Sequence, residues 1–323
     1  MYGYKAGQRL FRKNYKKNKI LKKKILIVGG TGFLGYYFAI KCLKNNLKVT
    51  SLSRKKPKKK RFLEKVKYIH TDISKKKILT NIIKEEYNFV VNFGGDVDHH
   101  GTSTFKSHFC GLKNLAEIFR KKKLDKFIQV GSSVEYGKLK SPHIEGKYKV
   151  KISSLRSIYA KAKLSSTNYL INLYNKEKFP VTIFRPYLIY GPGQDFNRLI
   201  PYVIKNCLQN KSFPCSNGYQ LRDFIFIDDA INLIFKSLIN KKSNGKIFNL
   251  CSGKPIKVKK LINDIRKKIK KGEPQFGLIK FRKDEIMNFY GDIKKVRKVF
   301  NWKPKNNIEK GISKTIKFYG SYF

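Results

Sequence analysis

Acidic residues are scarce in this chain of 323 residues: 21 Asp and Glu stand against 73 Lys and Arg, a formal net charge of +52. A surface so short of carboxylates points first to a polyanionic partner, either nucleic acid or an anionic membrane. Hydrophobic residues nevertheless make up 41% and aromatics 14%, which excludes a disordered basic tail protein. No apolar run approaches the roughly 20 residues of a membrane span. The basic N-terminal stretch, with Lys5, Arg9, Arg12 and Lys13, has no apolar run after it and is not a secretory signal. It lacks acids, which leaves an organelle-targeting reading open, although serine is missing there too. Cysteines are few, odd in number and scattered: Cys42, Cys110, Cys207, Cys215 and Cys251, with no Cys-x-x-Cys pair. They read as reduced, mostly structural thiols of a cytoplasmic protein. A spaced set of metal ligands is also missing. His99 and His100 beside Asp96 and Asp98 read as a loop next to a binding cleft, and no metal is expected.

What the chain does contain is alternation. Residues 1–24 are a basic extension, followed by the short apolar run Lys24 to Val28, the pattern of a strand buried on both faces. Lys48 to Ser53, Val66 to His70, Phe89 to Asn92, Lys126 to Val130 and Val181 to Phe184 read as further strands. Helical spacing lies between them, at Tyr36 to Lys44, Lys76 to Lys84 and Leu112 to Lys122. Such alternation predicts parallel βαβ units with right-handed crossovers, an α/β fold built on a doubly wound parallel sheet. No internal repeat is visible. After Pro186, Gly191, Pro192 and Gly193 the pattern loosens into a smaller appended region.

Gly29, Gly32 and Gly35 stand between the first strand and its helix, where a phosphate-binding turn belongs. Glycine there allows a tight turn and lets a pyrophosphate lie against the helix N-terminus. The second strand ends in Ser53 and Arg54 rather than in an acid. An acid would bind the ribose hydroxyls of NAD, whereas a small hydroxyl and a guanidinium suit a 2′-phosphate. NADP is therefore expected over NAD, although Arg54 also begins a basic surface run that ends at Arg61.

Tyr159 and Lys163 share one helix face four residues apart. A tyrosine is a poor base at neutral pH, and a neighbouring ammonium favours its phenolate. Ser132 and Ser133 follow the strand that ends at Val130, at the carboxyl edge of the sheet where ligands of open α/β folds bind. Ser132 is then placed to hydrogen-bond the oxygen whose proton Tyr159 gives or takes.

Five segments together resemble the extended short-chain dehydrogenase/reductases, the NAD(P)-dependent epimerases and dehydratases of nucleotide sugars. They are Gly29–Gly35, Gly131–Gly137, Tyr159–Lys163, Arg185–Gly193 and Arg222–Ala230, in the family's order. The resemblance implies a Rossmann-like domain over residues 25–190 and a mainly substrate-binding region over 191–323, part of which returns to the sheet. It implies Ser132, Tyr159 and Lys163 as the catalytic trio, with Tyr159 and Lys163 also contacting the cofactor and Lys163 holding the nicotinamide ribose. It also implies Phe33, Leu34, Asp72, Ile73, Phe93, Gly94, Gly95 and Pro186 as cofactor contacts beside the glycines, Ser53 and Arg54. Ser133, Tyr136, Arg222 and Arg282 would meet a nucleoside-diphosphate sugar, and the family's habit implies a homodimer. For Arg222 a plain salt bridge to Asp223 or Asp228 is the alternative.

Three departures from the family pattern bear on the reaction. The acidic pair that dehydratases carry after the Ser132 position is replaced by Ser133 and Val134. Glu135 comes one residue late and would face the other way on an extended chain, so dehydration is disfavoured. His108 stands where the family often has asparagine. The cation-bearing second strand, and a likeness of residues 275–287 to 4-keto-6-deoxy-hexose reductases, favour hydride transfer at C4 by a 4-keto-sugar reductase. The alternative is a 4-epimerase using the same three residues. A distant alternative is a nucleic-acid-binding protein on an idle reductase fold. The intact trio argues against it, and the charge is expected to give no more than weak association with polyanions or membrane surfaces.

Overall fold

The computed structural model describes residues 22–95 and 103–323. The basic extension before residue 22 and the His99–His100 segment lie outside the described residues. Five of the apolar runs form strands over the expected spans: β1 (Lys24–Val28), β2 (Lys48–Ser53), β3 (Val66–His70), β4 (Phe89–Asn92) and β5 (Lys126–Val130). The central strands are mostly apolar because both faces are covered; Ile25 to Val28 are at most 2% exposed, β4 and β5 are buried along their whole length, and the edge strand β3 is partly exposed. With β6 (Val181–Pro186) and β7 (Lys246–Leu250) they make a seven-stranded sheet in the order β7-β6-β5-β4-β1-β2-β3. The pairs from β3 through β2, β1 and β4 to β5 are all parallel, with Ile27 opposite both Ser51 and Val91. Strand order reverses between β1 and β4, the switch point at which a Rossmann-like sheet opens its crevice.

Helices α1 (Phe33–Leu43), α2 (Lys76–Ile82), α3 (Gly111–Phe119) and α4 (Ile158–Glu177) supply the crossovers. In α3, Leu112, Leu115, Ala116 and Phe119 are buried, the spacing of a single apolar stripe. A π-helical turn over Lys106–Cys110 leads into it, which the sequence pattern did not reveal. β6 runs two residues beyond its expected end at Phe184, and the Arg185 side chain in that extension is buried.

Two compact units share the chain. The first takes the chain up to Val130, then Ser157–Ile183 and Ile234–Lys246. The second takes Gly131–Arg156, Phe184–Leu233 and Ile247–Phe323. Short strand pairs organise the second unit. Leu221–Arg222 is flanked by Ile256–Lys257 and Asn288–Phe289, and Ser212–Cys215 pairs with Glu273–Phe276. Its helix Val258–Ile269 buries Val258, Leu261, Ile262 and Ile265, while Arg266, Lys267 and Lys268 are exposed, so this basic run is a solvated face. All five cysteines are free thiols, and burial pushes Cys207 and Cys215 up to about 11. Among the described residues no helix is long and apolar enough to cross a membrane.

Candidate active site

In the first unit the glycine loop is built by close approach. Gly29 has φ +79° and donates its N–H to the Leu52 carbonyl at 2.8 Å. A Cβ on Gly35 would lie 2.3 Å from the Gly29 carbonyl oxygen and 2.6 Å from the Gly30 Cα, so only glycine lets α1 start against the loop. Gly32 is the N-cap of α1, and Phe33 and Leu34 begin it; the helix has no side-chain cap and no acid in its first turn. A helix start of that kind accepts a phosphate, and the cradle fits the pyrophosphate of a dinucleotide. G35A is expected to weaken dinucleotide binding by about 10- to 100-fold, because overpacking of this kind costs roughly 1–3 kcal/mol. Fluorescence titration with NADPH checks this, and unchanged affinity would count against the cradle.

Around the loop, the Ser53 hydroxyl accepts the Thr31 N–H at 3.4 Å, and Arg54 follows it on the surface. Asp72 accepts the Ser74 N–H at 2.8 Å, opening the turn before α2. Ile73 covers Gly111, where a Cβ would come within 2.5 Å of its Cγ1. Phe93 donates its N–H to Val28 at 2.9 Å, and Gly94 donates to the Asn92 side chain at 2.8 Å. Gly95, at φ +140°, leaves room for the His108 ring, which a Cβ there would overlap.

Ser157 caps α4, its hydroxyl accepting the Ala160 N–H at 3.1 Å, so Tyr159 falls in the first turn and Lys163 one turn later. Lys163 is buried and donates from Nζ to the Val130 carbonyl at 3.0 Å. The same ammonium lies 5.6 Å from the centroid of the Tyr159 ring. His108 meets that ring edge-on, with centroids 4.9 Å apart. The ammonium is thus pinned to the carboxyl end of β5 and lies against the Tyr159 ring.

The second unit begins with the serines. The chain there is not extended, so the expectation that Glu135 faces away on an extended strand is corrected. Ser133–Tyr136 is a 3₁₀ turn with Ser132 as its N-cap. Glu135 is wholly buried, accepting the Ser132 N–H at 2.8 Å and the Arg185 Nε–H at 2.9 Å. The cause is local: Ser132-x-x-Glu135 is a capping box, and its reciprocal bonds outweigh strand geometry. Ser133 and Tyr136 are also buried. Tyr136 donates to the Asn249 side-chain oxygen at 2.7 Å, stacks on His143 at 4.5 Å and lies under the Arg185 guanidinium. Pro186 closes β6.

Arg222 bonds neither of the acids expected as alternatives. Asp223 accepts the backbone N–H groups of Ser252 and Gly253, and the Arg222 guanidinium pairs with Glu285. Burial pushes the Arg222 pKa down, and the Glu285 carboxylate opposes that push. Leu221 donates its N–H to the Met287 carbonyl at 2.7 Å, and Glu285 donates its N–H to Arg282 at 3.0 Å. The segment carrying the exposed Arg282 therefore folds back onto the strand of Arg222. Sequence reasoning missed Glu285, Arg185 and the role of Glu135; of these only Glu135 carried a local signal, the capping-box spacing. Among the described residues no group of His, Cys, Asp and Glu could hold a metal ion.

Comparison with known proteins gives a consistent result. The model of the NAD dependent epimerase/dehydratase family matches residues 25–251. The chain is 26% identical to the CDP-abequose synthase of Salmonella muenchen over 92% of its own length and 98% of that protein. It is 26% identical to a putative UDP-glucose 4-epimerase of Methanocaldococcus jannaschii, over 90% of this chain and 97% of the relative. The solved UDP-glucuronic acid 4-epimerase of Bacillus cereus, in complex with UDP-glucuronic acid and NAD, superposes with a TM-score of 0.81. Its sequence identity is 22%, over 93% of this chain and 100% of that one.

Proposed function

The chain belongs to the NAD dependent epimerase/dehydratase family, and from that membership we propose that this enzyme moves hydride at C4 of a nucleoside-diphosphate sugar, as a 4-keto-sugar reductase. The observation that carries the catalytic part is the bond from Lys163 to the Val130 carbonyl. It fixes the ammonium one helical turn from Tyr159, at the strand end that leads into Ser132. The Ser132 hydroxyl donates to the sugar oxygen and orients it. Tyr159 gives its proton to that oxygen during reduction and takes it back in the reverse direction, and Lys163 stabilises the phenolate left behind. A bound nicotinamide supplies or accepts the hydride.

Gly29, Gly32, Gly35 and the start of α1 hold the cofactor pyrophosphate. Asp72 and Ile73 take its adenine, and Phe93, Gly94, Gly95 and Pro186 flank the rest. Arg222 and Arg282 meet the substrate diphosphate, with Ser133 and Tyr136 towards the sugar. Relatives named for CDP- and UDP-linked sugars support a nucleotide sugar as substrate. Dehydration is disfavoured because residues 133 and 134 are Ser and Val, and the Glu135 carboxylate is taken up by Arg185 and the Ser132 amide. The 4-epimerase relative favours a second reading, 4-epimerisation by the same three residues.

Arg54 directly after Ser53 supports NADP. R54A is expected to weaken NADPH binding by about 10- to 100-fold, the worth of a charge-assisted hydrogen bond of roughly 1.5–3 kcal/mol, and to leave NADH nearly unchanged. Parallel titrations of the two cofactors check it, and equal losses for both would show that Arg54 does not discriminate between them. The reaction itself is tested by mixing the purified enzyme with a nucleoside-diphospho-4-keto-6-deoxyhexose and NADPH. Stoichiometric loss of NADPH with formation of the 4-hydroxy sugar supports the reductase. Turnover of a 4-hydroxy nucleotide sugar on a tightly retained cofactor, with none added, replaces it with the epimerase.

A further inference from the structure

Glu135 and Arg185 form an ion pair inside the second unit, with their side chains 0% and 7% exposed. Burying two charges is expensive, and apolar residues of similar volume are often as stable or more so, so a pair of this kind needs a reason beyond stability. The two carboxylate oxygens do different things. Oε2 accepts the Arg185 Nε–H at 2.9 Å, whereas Oε1 accepts the Ser132 backbone N–H at 2.8 Å. Arg185 is itself held, with its guanidinium 4.5 Å from the Tyr136 ring centroid. Gly131 leaves the space that Oε1 occupies, since a Cβ there would come within 2.3 Å of it. The Ser132 hydroxyl oxygen in turn accepts the Val134 N–H at 3.4 Å, which leaves its O–H free to donate elsewhere.

We propose that Glu135 is a positioning residue for Ser132: held by Arg185, its carboxylate grips the Ser132 amide and so sets the direction in which the Ser132 hydroxyl is offered to the sugar oxygen. This rests on Ser132 acting in the reaction proposed above. It makes Glu135 a residue that never touches substrate, and it gives the buried charge pair a function distinct from holding the fold together.

The test compares variants that differ only in the clamp. E135M/R185M removes the charge pair together with the bond to Ser132. E135Q/R185M removes the charges but keeps a side-chain oxygen for the Ser132 N–H. Relative to wild type, E135M/R185M is expected to lower kcat by about 10- to 100-fold, the usual loss for a misplaced reacting group, with KM for the nucleotide sugar within about twofold. E135Q/R185M is expected to recover most of that loss. In an S132A background the methionine pair should cause no further drop, because the hydroxyl it would misdirect is gone. An equal loss with Ser or Ala at residue 132, or failure of glutamine to restore the rate, overturns the proposal.

Hydrogen exchange at the Ser132 amide reads the clamp without any substrate. It should be slow in wild type and in E135Q/R185M and fast in E135M/R185M, and equal rates in all three also overturn the proposal. A wild-type protein that turns over no nucleotide sugar but shows this exchange pattern would sink the reaction while leaving the clamp standing. If E135M/R185M does not fold, E135D takes its place. It keeps both charges while withdrawing the carboxylate by one methylene, and the same outcomes apply.

Discussion

Y159F is expected to lower kcat by about 10²- to 10⁴-fold, the range for losing a positioned proton donor. Phenylalanine keeps the ring that His108 meets edge-on, so the helix start and the packing around it stay as they are. What disappears is the hydroxyl, and with it the only proton the proposed reaction can pass to the sugar oxygen. The Lys163 ammonium remains bonded to Val130, so dinucleotide affinity should stay within about threefold, a difference below 1 kcal/mol. Single-turnover measurements with saturating cofactor separate the two effects. Retention of more than a tenth of wild-type turnover would show that Tyr159 is not the proton donor.

The second large effect lies at the opposite, amino-terminal end of β5. Lys126 is 1% exposed, and its ammonium donates to Thr182 Oγ1 at 3.3 Å, the Asn240 carbonyl at 2.9 Å, Ser243 Oγ at 3.1 Å and also Asn244. Every partner is neutral. Burial pushes the Lys126 pKa down to about 7, against the hold of four oxygens that favour the charged form. An unfolded lysine titrates near 10.4, so between about pH 7 and 10 the unfolded chain binds a proton that the folded chain has released. Stability from this residue therefore grows as pH rises through that window and is lost over the same window as pH falls back to about 7. The full shift corresponds to about 5 kcal/mol at most.

Because many other groups titrate over the same range, the measured quantity is a difference. Between pH 7 and pH 10, wild type should gain roughly 2–4 kcal/mol relative to K126M, read from urea unfolding at each pH. Parallel pH curves for the two proteins would mean that Lys126 stays charged throughout.

The strands and the glycine loop were legible because each depends on a contiguous pattern. Short β-branched runs bounded by turns give β1 to β5 their observed spans, and Gly29, Gly32 and Gly35 declare the loop on their own. Family membership followed from segments of the same local kind. What escaped depends on partners distant in sequence or on side-chain bonds that override strand geometry. Lys126 reads as the polar start of a strand, since lysine is almost never buried without a partner. Its cage comes from residues 182 and 240–244, more than fifty residues away. Arg222 looked to the acids beside it, while its partner Glu285 arrives 63 residues later. Glu135 was visible but was weighed on extended backbone, when the capping box already implied a turn. Among the described residues the excess of positive charge has no structural explanation beyond the few cations of the proposed site.

The division of the chain into units has a consequence for how this enzyme can be taken apart. The boundaries fall after Val130, Arg156, Ile183, Leu233 and Lys246, so the chain passes from one unit to the other five times. No single cut separates them, and no continuous fragment consists of the whole of one unit and nothing of the other. A nick at any one boundary leaves four covalent tethers intact, and at the three inner boundaries the two complementary fragments would each carry parts of both units. The route by which such a protein can be divided or fused is therefore insertion at a surface loop within one unit, since neither unit exists as a contiguous piece that could be exchanged.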